Sequence, residues 1–207
     1  MIRRTLFAAL VALTVVPLTA QVPKGWMVRA DRSMSATDPD AAGAIKFMAM
    51  GSGFHAVNPQ AAVYWNPANT ATGAYTLKGT FTLQAPSGHT NYYGLVFGGA
   101  ELEGAGQNYT YFLVAQDGTW LVKHRTGAAT ENVVTKMASD AVKKPDATGK
   151  STNALEVRVG ADKVDYVVNG TVVHSMPKGG TKTDGIAGIR VNHMLEVMID
   201  GFGVSKS

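Results

Sequence analysis

Apolar and polar residues alternate with period two through most of the chain, most regularly from residue 153 to 204. The run N-A-L-E-V-R-V, then V-D-Y-V-V-N-G-T-V-V-H-S, then G-I-A-G-I-R-V and L-E-V-M-I-D-G-F-G-V is broken at Gly160, at Asn169-Gly170 and before Gly185. Asn-Gly between two such runs predicts a two-residue hairpin, because both turn residues must tolerate positive φ. That turn sets a register with Val168 opposite Thr171, Tyr166 opposite Val173 and Asp165 opposite His174. Alternation then assigns Leu155, Val157, Tyr166, Ile189, Val197 and Ile199 to the core.

The first half carries the same signal in shorter pieces. Gly25–Ala30 reads as an edge strand, and the Asp-, Ser-, Pro- and Ala-rich stretch from Asp31 to Gly43 as loop. Ile45–Met50 and Phe54–Val57 flank a Gly-Ser-Gly turn, and Ala61–Trp65 is a strand stopped by Asn66-Pro67. Tyr75–Gln84 is the cleanest alternating segment, with Tyr75, Leu77, Phe81 and Leu83 on one face. Tyr92–Gly98 is apolar on both faces and belongs in the middle of a sheet. Asn108–Gln116 and Thr119–Arg125 form a hairpin about Asp117-Gly118, and Glu131–Lys136 adds a short strand. Ala138–Thr152 is a loop with room for one helical turn. No internal repeat or multi-turn amphipathic helix is evident. Short strands with Gly, Asn and Asp turns predict an all-β fold, a two-sheet antiparallel β-sandwich of jelly-roll type.

The N-terminus departs from this pattern. Arg3 and Arg4 precede an apolar run from Leu6 to Val16, and Leu18-Thr19-Ala20 offers a small-residue cleavage site. Residues 1–20 thus read as a secretory signal peptide whose apolar run is too short to span a membrane, with residues 21–207 a single β-sandwich domain. The expectation is an exported protein, periplasmic or extracellular, with no membrane insertion after cleavage. Losing Arg3 and Arg4 lowers the formal charge from +4 to +2. Lys136, Lys143, Lys144 and Lys150 cluster without interleaved aromatics, so nucleic acid is not an expected partner. Cysteine is absent, which excludes disulfides, thiolate metal sites, Cys nucleophiles and a lipoprotein anchor.

The segments from 153 onward, N-A-L-E-V-R-V, V-D-Y-V-V-N-G-T-V-V, D-G-I-A-G-I-R-V and L-E-V-M-I-D-G-F-G-V, resemble the C-terminal half of concanavalin A-like, laminin-G-like jelly rolls. Among these the chain looks most like bacterial exported domains of the 3-keto-disaccharide hydrolase type, over roughly residues 75 to 205. The resemblance rests on strand cores and a turn. It implies the sandwich fold and, as an expectation, an activity on glycosides. Jelly rolls of this kind often hold a calcium ion in a loop, so Ca²⁺ is a possible cofactor, although no run of alternating Asp and Asn ligands occurs.

Candidate chemistry is sparse. Glycoside hydrolysis normally needs two carboxylates about 5 to 9.5 Å apart, and the Glu-x-Asp-x-x-Glu strand of the related family 16 glycosidases is missing. Glu196 and Asp200 share a strand face but stand roughly 13 Å apart along it. Glu101 and Glu103, in a Gly-rich loop, are the weak catalytic candidates. None of His55, His89, His124, His174 and His193 has a paired metal-ligand spacing. His174 opposite Asp165 is expected to be a cross-strand structural pair.

Aromatic rings with nearby polar groups suit sugars, whose C–H faces stack on rings while side chains meet the hydroxyls. The middle strands supply Tyr92, Tyr111, Trp120, His124 and Arg125 as candidate carbohydrate-binding residues, with Arg190 and Asn192 on a late strand. Trp120 and His124 share one face of their strand; Lys123 and Arg125 share the other. The expected function is carbohydrate or glycan binding without a recognisable catalytic motif. The alternatives are a glycoside hydrolase of the resembled type and a structural or interaction protein of the cell envelope.

Overall fold

The computed structural model describes residues 22–206; the signal peptide expected at residues 1–20 lies outside them. Fourteen strands follow one another: β1 (Met27–Asp31), β2 (Lys46–Met50), β3 (Gly53–Asn58), β4 (Ala61–Ala71), β5 (Tyr75–Ala85), β6 (Tyr92–Ala100), β7 (Asn108–Ala115), β8 (Thr119–Thr126), β9 (Ala129–Ala138), β10 (Ser151–Val159), β11 (Lys163–Val168), β12 (Thr171–Pro177), β13 (Gly185–Val191) and β14 (Leu195–Lys206). The 3₁₀ turn Lys178–Gly180 links β12 to β13. Among the described residues no helix is long and apolar enough to cross a membrane.

The strands form two seven-stranded antiparallel sheets, in the orders β1-β4-β13-β6-β7-β8-β9 and β12-β11-β10-β5-β14-β3-β2. The predicted β-sandwich is therefore the observed fold. Leu155, Val157, Tyr166, Ile189, Val197 and Ile199 are all fully buried between the sheets, as their alternation requires. They pack with Phe81, Tyr93, Phe112 and Trp120. At one end Trp26, Phe47, Phe54 and Phe202 close the core, with ring centroids 4.6 to 5.5 Å apart.

Three details differ from the alternation argument. Asn169 and Gly170 have φ of 49° and 83°, the paired left-handed geometry of the predicted turn, and Val168 does face Thr171. A bulge at Tyr166/Val167 then inserts one residue, so Tyr166 faces His174 and Asp165 faces Ser175. The expected Asp165–His174 pair is consequently not formed. Ser175 donates to Asp165 instead, while the His174 ring lies against Trp120 and Tyr166.

β4 runs on through Asn66-Pro67 to Ala71. Its pairing with β1 ends at Trp65, and its register with β13 slips between Trp65 and Thr70. Pro67 thus sits at a bulge where no ladder hydrogen bond asks for its missing N–H.

The stretch between β9 and β10 forms turns without a helix. Buried Asn153 accepts from the Lys143 N–H and donates to its carbonyl, and Asn169 donates to the Ala141 carbonyl. Two side-chain amides thereby do for this loop what a helical turn would have done for itself.

Candidate functional site

Alternation on β6, β7 and β8 turns Tyr93, Phe112, Trp120 and Val122 toward the other sheet. Tyr92, Tyr109, Tyr111, Leu113 and Leu121 face outward, where they pack with Val63 and Trp65 of β4. This outward face is concave. β1 and β8 are five strand steps apart, about 24 Å at roughly 4.8 Å a step. Yet Arg125 Nη1 of β8 stands 3.4 Å from Asp31 Oδ2 of β1. Two extended side chains bridge only part of that distance, so the sheet curls toward them.

Asp31 anchors a charged cluster on this face. Its Oδ2 accepts from Arg190 Nη1 of β13, from Arg125 and from the Tyr109 hydroxyl. Arg190 also donates to the Tyr109 oxygen at 2.8 Å, and its guanidinium lies 5.3 Å from the Tyr111 ring centroid. Asp31 Oδ1 and Arg29 Nη1, 3.9 Å apart, have no hydrogen-bond partner among the described residues. Burial on its own would raise the Asp31 pKa, but Arg190 first, then Arg125 and Arg29, outweigh it and hold the carboxyl below its ordinary value. Burial pushes Tyr109 up to about 12 and Tyr111 upward as well. At neutral pH the cluster therefore carries an anion, three cations and two neutral phenols.

Beside the cluster the face opens into a groove of about 240 Å³. Tyr111, Leu113 and Leu121 form its apolar part. Lys123, Arg190, Asn91, Asn192 and Asp38 bring polar groups to it. The Asn192 backbone N–H is tied to the Tyr92 carbonyl, while its Oδ1 is buried without a hydrogen-bond partner among the described residues. A buried acceptor left free costs about 1–3 kcal/mol, which a ligand hydroxyl would offset.

A larger cavity, of about 440 Å³, opens at one end of the sandwich among Ala42, Gly43, Pro59, Pro86, Met194 and Leu195. It has no aromatic ring in its lining. Its one buried amide, Asn58, is already occupied by Gln60, Val191 and Tyr64. Only Lys46 and Glu196 bring charge to it, and Glu196 is paired with His55. The smaller groove offers the more directed chemistry.

The five aromatic and basic candidates divide between two faces. Tyr92 and Tyr111 line the groove. Arg125 shares their face but is held by Asp31 and the Gly127 carbonyl. Trp120 lies in the core, 2% exposed, against Phe112 and His174. His124 points the same way as Trp120, with Nδ1 3.0 Å from the Thr110 hydroxyl; burial, then Lys182, lowers its pKa. Period two on β8 forbids Trp120 and Arg125 from serving one surface. Glu101 and Glu103 are exposed on either side of buried Leu102 in the β6–β7 connection, and neither lines the groove.

Two acidic residues of this face, Asp31 and Asp38, come from the stretch whose sequence reads only as loop. Their signal was confined to residue type, since neither strand period nor motif spacing marks them. His89 and His193, 104 residues apart, lie with Nε2 atoms 3.1 Å from each other near the same rim. No short-range spacing could have paired them.

No family model and no curated relative matches the sequence. Solved structures do match in shape. The carbohydrate binding module CBM66 from Bacillus subtilis superposes with a TM-score of 0.63 at 10% identity, covering 88% of this chain and 96% of its own. A Bacillus subtilis protein of unknown function with a galectin-like fold gives 0.53 at 13% identity, over 88% and 90% of the two chains. A Parabacteroides distasonis protein, provisionally assigned as a glycosyl hydrolase, gives 0.52 at 13% identity, over 78% and 90%. At these identities the likeness concerns the fold. Two seven-stranded antiparallel sheets in these orders give the chain a jelly-roll β-sandwich fold, similar to that of concanavalin A-like domains.

Proposed function

We propose that the protein binds a carbohydrate in the concave groove of the β1–β9 sheet, and that it is exported to meet it. The observation that carries the reading is the Asn192 Oδ1 acceptor, buried and unpaired on a groove wall whose floor includes Tyr111. A sugar ring can rest against the exposed edges of Tyr111 and Leu121, each 6% exposed, while its hydroxyls reach Asn192, Arg190, Lys123 and Asn91. At about 240 Å³ the groove is smaller than the roughly 300–1,000 Å³ of drug-sized sites. That size favours one sugar unit, such as the end of a chain, over a long run of units. The carbohydrate-binding name of the CBM66 neighbour agrees, as an analogy of fold. Export rests on the leader pattern of residues 1–20.

Binding is favoured over hydrolysis by the carboxylates. Asp38 is the one carboxylate among the groove residues, and Asp31 beneath it is engaged by arginines. No second carboxylate lines the groove beside Asp38, as a two-carboxylate mechanism acting there would need. Glycan-array screening followed by calorimetry tests the proposal. Millimolar or tighter binding of at least one glycan is expected, weakened at least tenfold by Asn192→Ala and by Lys123→Ala. Binding of no glycan at millimolar concentration, or binding indifferent to both substitutions, would overturn it.

A further inference from the structure

At the rim of the groove three donor atoms converge from three separate segments. Asp38 Oδ1, in the connection between β1 and β2, is 2.9 Å from His89 Nε2 and 3.2 Å from His193 Nε2. His89 precedes β6 and His193 lies in the β13–β14 turn, and their two Nε2 atoms are 3.1 Å apart. The rings meet nearly edge to face, 82° between planes, with both Nε2 atoms within 3.2 Å of Asp38 Oδ1.

The hydrogen bonds behind these atoms bear on which of them could receive a cation. His193 Nδ1 stands 3.0 Å from Asp40 Oδ1, which fixes the proton of the neutral ring on Nδ1 and leaves Nε2 as a bare lone pair. The Asn91 side-chain amide also stands 3.0 Å from His89 Nε2. Asp38 brings an acceptor oxygen. In the tautomers that expose both Nε2 lone pairs, three donor atoms face one another within 3.2 Å.

The spacing is that of metal ligands. Bonds of about 2.0–2.1 Å at tetrahedral angles set ligand atoms roughly 3.3 Å apart, and at octahedral angles roughly 2.9 Å. The three observed separations fall between these limits or at the lower one. The Asp40 carboxylate behind His193 supplies the outer hydrogen bond that orients and strengthens a ligating imidazole. Two imidazoles and one carboxylate suit a borderline divalent transition metal, whereas Ca²⁺ takes six to eight oxygens and has no use for ring nitrogens.

We propose that Asp38, His89 and His193 form a binding site for a divalent transition-metal ion of the Zn²⁺ class, with Asp40 as the supporting carboxylate. An end-for-end turn of the Asn91 amide would present its oxygen as a further donor. The ion would tie the segment carrying Asp38 and Asp40 to the starts of β6 and β14, and so hold the rim of the groove in place. The site does not depend on the sugar reading: Asp38 and Asn91 border both, but the metal is read without any sugar present.

The test uses the full chain without a polyhistidine tag, stripped with a chelator and titrated with Zn²⁺ alone against a chromophoric competitor, with Ca²⁺ in parallel. One Zn²⁺ per chain is expected at micromolar affinity or tighter, with a rise in Tm that Ca²⁺ does not reproduce. His89→Gln, at a side chain 42% exposed, should weaken Zn²⁺ at least ~100-fold while leaving the circular dichroism spectrum unchanged. Asp40→Asn should weaken it about 10- to 100-fold. X-ray absorption of the loaded protein should show two nitrogen-ring ligands, a signature that needs no variant to fold. No Zn²⁺ binding tighter than ~100 µM, binding that ignores His89→Gln, or a preference for Ca²⁺ would overturn the proposal.

Discussion

Arg190 of β13 donates to Asp31 of β1 with both side chains less than a tenth exposed, and the strand between them, β4, contributes no charge to the contact. The pair is buried by curvature rather than by the sandwich core. Removing one partner leaves the other charged in a low-dielectric pocket. Arg190→Met is therefore expected to lose about 3–5 kcal/mol in urea denaturation. Asp31→Asn combined with Arg190→Met should recover part of that loss. Arg125→Met, whose partner keeps Arg190 and whose own side chain is 19% exposed, should lose no more than about 1 kcal/mol.

The same carboxylate sets an acid limit. The folded pKa of Asp31 lies below its ordinary 3.8 because Arg190, Arg125 and Arg29 outweigh burial. A depressed carboxylate contributes stability in full above its unfolded pKa and loses it as pH falls through the folded value. Thermal stability should therefore fall as pH drops below about 4, and fall less steeply in Asp31→Asn. Equal acid slopes in the two proteins would show that other groups set the limit.

The two faces of β8 can be separated by function. Trp120 fills the core, so Trp120→Ala should lose about 3–5 kcal/mol of stability, while Trp120→Phe should leave glycan affinity within about twofold of the parent. Tyr111→Leu on the neighbouring strand should weaken glycan binding at least tenfold, with the fold retained by circular dichroism. Calorimetry with the best glycan from the array reads both. A Trp120→Phe loss of binding as large as that of Tyr111→Leu would contradict the assignment of faces.

Gly94 lies at the centre of the concave sheet with φ of 155°. A Cβ there would stand 2.4 Å from the Phe112 carbonyl oxygen and 2.9 Å from Leu155 Cδ1. Backbone blocks one side and core the other, so neither can yield cheaply. Gly94→Ala should lower stability by more than about 2 kcal/mol, whereas Gly170→Ala, with φ of 83° in open space, should lose about 1–2 kcal/mol from backbone strain alone. Denaturation midpoints of the two variants decide the order.

What the sequence alone determined follows from local periodicity. Period two named the core residues from Leu155 to Ile199, Asn169-Gly170 placed its turn, and the doubly apolar Tyr92–Gly98 segment went correctly to the middle of a sheet. These features depend on neighbours within a few residues, which a linear pattern can carry. The bulge at Tyr166/Val167 was invisible because a one-residue slip leaves composition unchanged, and it moved His174 away from Asp165. Tertiary structure alone decided the groove. Its charged residues Asp38, Lys123 and Arg190, and the neighbouring pair Asp31 and Arg125, sit on strands and loops that meet only because the sheet curls. The histidines of the proposed metal site meet because two turns at one end of the sandwich fall side by side. Curvature and loop docking depend on the summed twist of many strands, and no stretch of sequence encodes that sum by itself.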